Sequence, residues 1–342
     1  MTDLLATPGF RETDIRPANL LDEQARRYAA DVRWLLEHRS EFVSVPCPAC
    51  GASDSFEAFR KYELRYARCA LCETVYVNPR PTAELLELYY ERSENAAYWN
   101  SHIFPASEAT RRERIFRPRA ERLLEICRRQ QVPTDTVLEV GSGFGTFCEE
   151  ISALGAFRRV VALEPSPTHA ASCRGRGIEV IESSIEQAEI RERFDVVASF
   201  EVIEHLFSPA AFISRCADIV APGGLLVLTT PNVRGFDIMV LEALSVAVDT
   251  EHLNYFHPAS LSALVTSCGF EVLEVHTPGK LDAELVRTKV LSGELDLGSR
   301  PFLRRVLVDE WDRLGGAFQD FLAASGLSSH MWLVAQSPAA IR

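Results

Sequence analysis

Lysine is almost missing from this chain: only Lys61, Lys280 and Lys289 stand against a background of arginine. Its 342 residues carry 36 basic and 48 acidic side chains, a net charge of −12. Nucleic-acid backbones are gripped by clustered positive charge, so this balance argues against a nucleic-acid partner. No apolar run approaches the roughly 18 residues of a membrane-spanning helix; the longest, around 238–248 and 223–230, are short or carry a glutamate. The opening MTDLLATPGFRETD has acids where a secretion signal needs a basic start and an apolar centre, so a cytoplasmic protein is expected. Nine cysteines, an odd number in a long chain, do not read as a disulfide framework. Internal repeats and low-complexity stretches are missing too. What is present, 47% hydrophobic and 25% charged residues, supplies a buried core and excludes global disorder.

The chain divides by rhythm into four parts. Residues 1–43 carry an apolar stripe at helical spacing, Leu21, Ala25, Tyr28, Val32, Leu35 and Leu36. Residues 44–82 hold two cysteine pairs and end in the turn-rich NPRP. Residues 83–132 read as a helical lid or connector, with helices over TAELLELYY and Phe116–Arg129 and a loop at NAAYWNSHIF between them. From 133 to 342 the apolar runs TVLEV, RVVALE, GIEVIE, FDVVASF and GLLVLTT alternate with helical stretches. Such alternation implies a parallel sheet covered on both faces. CGFEVLEVH and SSHMWLVAQ add a sixth and a seventh strand, and the helical stretch 280–326 between them reads as an inserted cap. The expected fold is α/β: a doubly wound, mostly parallel seven-stranded sheet.

The first of these strands runs into Gly141-Ser142-Gly143-Phe144-Gly145, and Thr146 then opens a helix. Glycines let the backbone turn sharply and approach a ligand, and the helix start behind them offers free N–H groups to negative charge. A tight strand-to-helix turn would need the same glycines. Two carboxylates favour the ligand: Glu164 ends the second strand, where it can accept both hydroxyls of a ribose, and Glu139 places a charge inside an apolar strand.

VLEVGSGFG, VALEP, FDVVASFEVIEHL and APGGLLVLTTPN, in this order, resemble the class I S-adenosylmethionine-dependent methyltransferases. The resemblance covers about 119 to the C-terminus and makes 133–342 the cofactor-binding domain. It implies that Glu139, Gly141, Ser142, Gly143 and Gly145 surround the methionine end of S-adenosylmethionine. It further implies that Glu164 and Pro165 meet the ribose, Ser184 and Ile185 flank adenine, and Phe200 and Glu201 line the cleft. Many members carry Asp at the adenine position, where this chain has Ser184. A dinucleotide oxidoreductase, which more often shows GxGxxG, and a non-catalytic scaffold of the same fold are the rival readings.

Acid/base candidates follow the strands. His205 lies in Glu201-Val-Ile-Glu204-His205, and His252 in Glu251-His252-Leu-Asn-Tyr-Phe-His257-Pro258. Imidazole titrates near neutrality and can take the proton of an acceptor hydroxyl, although helix-capping histidines occupy such positions as well. His257, before Pro258, looks like a helix-start residue. Tyr98, Trp99 and Asn100 with Arg111, Arg112 and Arg114 suit either a lid over the cofactor or packing against the sheet. Arg287, Arg304, Arg305 and Trp311 of the cap suit either an anionic acceptor or solvated helix faces.

Cys47-Pro-Ala-Cys50 and Cys69-Ala-Leu-Cys72 match a structural zinc ion held by four thiolates, a closed centre with no open position for catalysis. Gly51 follows the first pair and Glu73 the second. Residues 44–80 carry five basic and four acidic side chains, and a tetrathiolate zinc adds about −2, so the ribbon lacks the basic face of an RNA reader. The whole resembles bacterial methyltransferases of sugar and secondary-metabolite pathways, which implies a small-molecule acceptor; zinc-ribbon RNA methyltransferases share the order of parts.

Overall fold

The computed structural model describes residues 11–339; the first ten residues of the expected N-terminal segment, which open the stretch MTDLLATPGFRETD, and the last three of the chain lie outside them. Two sheets organise the chain. The larger has seven strands: β4 (Thr136–Val140), β5 (Arg159–Leu163), β6 (Glu179–Ile181), β7 (Phe194–Phe200), β8 (Val220–Pro231), β10 (Glu271–His276) and β11 (His330–Gln336). Their order is β10-β11-β8-β7-β4-β5-β6. β8, β7, β4, β5 and β6 run parallel, and β11 enters antiparallel to both β8 and β10. The alternating parallel strands and helices therefore form the expected mostly parallel α/β sheet.

Each central strand is buried on both faces, which is why it reads as an unbroken apolar run. Leu138, Val140, Val161, Val197, Leu226 and Leu228 pack on one side with Phe212, Ile213 and Leu264. Val137, Val196, Ala198, Leu225 and Val227 pack on the other with Leu123, Phe147 and Trp332. The stretch 280–326 is helical as expected, with helices Asp282–Leu291 and Trp311–Ala324, and gathers its own small core around Val286, Leu307 and Leu322. There Arg287 lies over the Trp311 ring, and on exposed helix faces Arg305 pairs with Glu310 and Arg304 with Asp309. Among the described residues no helix is long and apolar enough to cross a membrane.

The expected loop at NAAYWNSHIF is helical instead. Glu94–Tyr98, Trp99–Ile103, Phe104–Arg111, Arg112–Phe116 and Arg117–Gln130 follow one another without a break, the second and fourth as wider π-type turns. Tertiary contacts override the weak local preference of this aromatic stretch. The Trp99 ring lies near the guanidinium groups of Arg16 and Arg111, and Tyr98 near that of Arg27. Arg112 binds Glu108, Glu149 and Glu150. Trp99, Arg111 and Arg112 make packing contacts in this segment, and the contact with the glycine loop is made by Phe104, stacked 4.0 Å from Phe144.

The smaller sheet holds β1 (Ser55–Lys61), β2 (Leu64–Cys69) and β3 (Val75–Val77), and it is completed by β9 (Asn254–Tyr255) from far along the chain. β3 pairs antiparallel with β9, Val75 opposite Tyr255 and Tyr76 opposite Asn254. Cys47, Cys69 and Tyr76 belong to the same buried cluster as the large sheet's Leu138 and Phe256. The cysteine-bearing segment is thus built into the molecule rather than appended to it.

Candidate functional site

Four neighbouring parallel strands, β7, β4, β5 and β6, end on one rim, the edge where open α/β sheets place ligands. Glu139 to Gly145 leave β4, Glu164 and Pro165 leave β5, Ser184 and Ile185 follow β6, and Phe200 and Glu201 close β7. The sheet order thus gathers the expected cofactor residues along one edge, although the chain separates them.

The glycine loop is shaped by its backbone. Gly141, Gly143 and Gly145 all have positive φ, 75°, 53° and 77°. A Cβ at Gly141 would stand 2.5 Å from Val202 and one at Gly145 2.8 Å from the Cys173 sulfur, so neither position tolerates a side chain without movement. A Cβ at Gly143 would meet nothing within 4 Å, leaving an open cradle above the loop. Buried Glu164 accepts from the Gly143 N–H at 2.8 Å and from the Ser166 N–H at 2.9 Å. Each carboxylate oxygen retains a second acceptor position. His169 stands 3.6 Å from this carboxylate and leans on the Phe144 ring.

Glu139 is buried and accepts the Cys148 S–H at 3.0 Å. Burial pushes its pKa up to about 8, so a positive charge beside it would draw it into the ionised form. Ser142 is buried against Cys173, Ile185 is buried, Ser184 is half-buried and Pro165 exposed. Phe200 packs edge-on to Phe147, with the Arg119 guanidinium 4.4 Å from its ring. Glu201, next in line, adopts a left-handed φ of 56°, an uncommon conformation for this residue type at the tip of a central strand. It accepts from Thr229 at 2.5 Å and lies near His330 and Arg119. Burial opposes its ionisation, but His330 and Arg119 outweigh it and hold the carboxyl below its ordinary range.

Beyond Glu201 the two candidate histidines meet. Their rings are 4.6 Å apart, edge to face. Glu204, His205 and His252 bring one ligand atom each within 4.8 Å of one another, a spacing that suits a shared proton and also a divalent cation. The His205 Nδ1 lies 3.1 Å from the Glu251 carbonyl, and the His252 Nδ1 lies 2.9 Å from the Ala247 carbonyl. A carbonyl only accepts, so each Nδ1 carries the proton and each Nε2 keeps its lone pair. The surroundings then push the two rings apart. Burial, then the neighbouring His252, depresses His205 to about 4. Burial also works against the charged form of His252, yet Asp249, 3.6 Å away, and Glu204 raise it above its ordinary 6.5. Fully buried Glu204 accepts from Thr230 through one oxygen and has no partner at the other; burial, then Glu201, pushes it up to about 8.

Tyr90, which sequence patterning passes over, places its hydroxyl 3.0 Å from the His205 Nδ1. The one Nδ1–H is then shared between the Glu251 carbonyl and this hydroxyl, which accepts there. Glu251 binds Tyr89 and Asn95, drawing the N-terminal helices to the same place. Sequence patterning also passes over His330 beside Glu201. His257 caps the helix Pro258–Ser267 as expected, and its Nε2 donates to the Cys72 carbonyl at 2.7 Å.

The four paired cysteines converge as well. Cys47 and Cys72 sulfurs are 3.5 Å apart, Cys50 and Cys69 sulfurs 3.6 Å, and all four lie within 4.8 Å. A tetrahedral zinc–thiolate centre, with bonds of about 2.3 Å, requires sulfur–sulfur edges of about 3.8 Å. Gly51 and Glu73 both take positive φ, 74° and 61°, and each donates its N–H to the carbonyl of the cysteine opening its turn. The two turns are thus alike despite their different residues, and Glu73 spends its side chain on Arg234 at 2.6 Å.

A family model described as "Methyltransferase domain" matches residues 108–275. The ubiquinone biosynthesis O-methyltransferase of Rhodopseudomonas palustris (strain BisB18) is 39% identical over 102 residues, 28% of this chain and 39% of that protein. The protein of the same description from Bradyrhizobium sp. (strain ORS 278) is 38% identical over 102 residues, 28% of this chain and 40% of that protein. The chain therefore spans about two fifths of the length of these relatives. Among solved structures, an S-adenosylmethionine-dependent methyltransferase from Clostridium acetobutylicum aligns with a TM-score of 0.45 at 8% identity, over 70% of this chain and 98% of the other. An amino pentose methyltransferase from Micromonospora echinaspora aligns with a TM-score of 0.40 at 18% identity, over 50% and 90%.

Proposed function

We propose that this chain, which belongs to the class I S-adenosylmethionine-dependent methyltransferases, moves the methyl group of S-adenosylmethionine to a hydroxyl of a small-molecule acceptor, such as a sugar, nucleotide sugar or secondary metabolite. The sulfonium of the cofactor supplies an already activated methyl group, so the protein's tasks are alignment and proton removal. The residues present fit the cofactor. The open face above Gly143 seats it, Glu164 retains acceptor positions for the ribose diol, and Glu139 answers the positive methionine end. Ile185 packs on adenine.

His252 is the general base in this reading, because Asp249 and Glu204 raise its basicity and its Nε2 is the free nitrogen. Neutral His205 and the Tyr90 hydroxyl hold the acceptor by hydrogen bonds. The convergence of His205 and His252 beside the cofactor rim is the observation that carries the proposal. The O-methyltransferase names of the relatives agree with a hydroxyl acceptor. The four cysteines hold zinc as a structural centre. Net charge −12 and a near-neutral ribbon speak against an RNA acceptor.

The test is two-part. Calorimetry with S-adenosylhomocysteine should register binding, whereas NAD should not. Wild-type protein should then label a panel of catechols and nucleotide sugars from methyl-labelled cofactor, with tRNA and rRNA unlabelled. Binding of NAD in place of S-adenosylhomocysteine, or label in RNA, would replace the reading. The spacing of Glu204, His205 and His252 supports a second version, in which a divalent cation holds the acceptor oxygen. Zinc-loaded protein whose transfer depends on added magnesium would select it.

A further inference from the structure

The ribbon grips the two segments that carry the histidines. Lys61 donates to the carbonyls of Ser245 and Val248 at 2.8 and 2.6 Å, and the Tyr66 hydroxyl to that of Asp249 at 2.7 Å. Val77 donates its N–H to the Leu253 carbonyl at 2.9 Å. Residues 245–255, with His252 among them, thus lie along the ribbon. At the ribbon's end, Arg80 is fully buried with no carboxylate among its hydrogen-bond partners. Its fork reaches the Asn254 side-chain oxygen at 3.0 Å, the Phe207 carbonyl at 3.3 Å and the Leu253 carbonyl at 3.5 Å. Asn254, also fully buried, turns its amide the other way and donates to the carbonyls of Leu206, Glu204 and Ile203 at 2.8, 3.2 and 3.4 Å.

We propose that Arg80 and Asn254 are positioning residues: the guanidinium orients the Asn254 amide, which clips the turn 203–206 against the strand following His252 and so fixes the two imidazoles face to edge. The ribbon is on this account an internal brace of the proton-transfer pair rather than a docking module. A buried cation satisfied by carbonyls and one amide is costly to desolvate, and together with the Leu253 N–H bond to the Glu204 carbonyl at 2.8 Å it specifies the relative placement of the three segments. The proposal rests on the assignment of His205 and His252 to proton transfer.

The test reads ring geometry and needs no acceptor. Full-length, zinc-loaded protein with 15N-labelled histidine is saturated with S-adenosylhomocysteine, and the two rings are assigned with His205→Gln and His252→Gln. Wild type should show both rings as the Nδ1–H tautomer. In Asn254→Asp, which keeps an oxygen for Arg80 but loses the amide donors, and in Arg80→Lys, which keeps the charge but loses the fork, at least the His205 signal should collapse to a tautomer average. Affinity for S-adenosylhomocysteine should stay within about threefold. Two intact Nδ1–H rings in both variants would overturn the proposal. So would loss of S-adenosylhomocysteine binding in both, since the pair would then be sustaining the whole fold. Wild-type rings lacking that tautomer would overturn it as well. Absence of methyl transfer with the ring signals as expected would instead overturn the functional reading and leave the brace standing.

Discussion

The two ends of the cleft are built from very different lengths of chain. At the cofactor end, the loop, Glu139 and Glu164 all fall between β4 and the start of the next helix but one, and the hydrogen bonds of the two carboxylates stay within that stretch. The proposed proton-transfer end is assembled from Arg80, Tyr90, the turn 201–206 and the stretch 249–257, joined across two sheets. Contiguous sequence can encode a ligand cradle, but a pair of groups with opposed pKa shifts needs distant segments brought together and held.

The largest effect should break the cofactor end alone. Glu164→Ala removes the partner of two N–H groups and the proposed ribose acceptor; at about 1.5–3 kcal/mol per charge-assisted hydrogen bond, S-adenosylhomocysteine affinity should fall by more than about a hundredfold. Calorimetry checks it, and unchanged affinity removes the ribose assignment. At the other end, His252→Gln should slow transfer by about a hundredfold, in line with the usual contribution of a positioned base, and leave cofactor affinity within about threefold. The base must be unprotonated, so the wild-type rate should rise with pH through a midpoint above the ordinary 6.5 of histidine. His205, depressed to about 4, should add no limb between pH 5 and 8. A wild-type profile that His252→Gln leaves unchanged would return the role of base to another group.

Metal removal should separate the ends more gently. We expect one zinc per chain by elemental analysis. Chelation should speed hydrogen exchange across 201–207 and 245–257 at least about tenfold while 136–166 changes little, because the ribbon sheet includes β9. Equal loss of protection at both ends would erase the distinction between them. The smallest effect is expected at Glu73→Gly. Relief of a left-handed side-chain residue opposes loss of an exposed, solvent-screened ion pair and the added freedom of glycine in the unfolded chain. Thermal denaturation should show a near-neutral change.

This contrast also marks what the residues alone make legible. The core strands stand out because apolar runs bounded by turns mean burial on both faces, and the loop stands out because three glycines between a strand and a helix have few other uses. The four thiols are equally plain. The brace is not, because nothing local marks Arg80 in NPRP as fully buried, and a strand as short as Asn254–Tyr255 carries no periodicity. Tyr90 shares its helix with Leu85, Leu86 and Tyr89, so its pattern reads as core, although it is partly exposed in the cleft. The helical run through Trp99 was hidden for a related reason: its support comes from Arg16 and Arg111, which lie outside the stretch itself.

The most direct test supplies methyl-labelled S-adenosylmethionine to wild-type and His252→Gln protein together with fractionated small molecules and RNA. The account predicts label in a small hydroxylated molecule with wild type, about a hundredfold less with the variant, and none in RNA. Label in the RNA fraction, or equal label from both proteins, would contradict it.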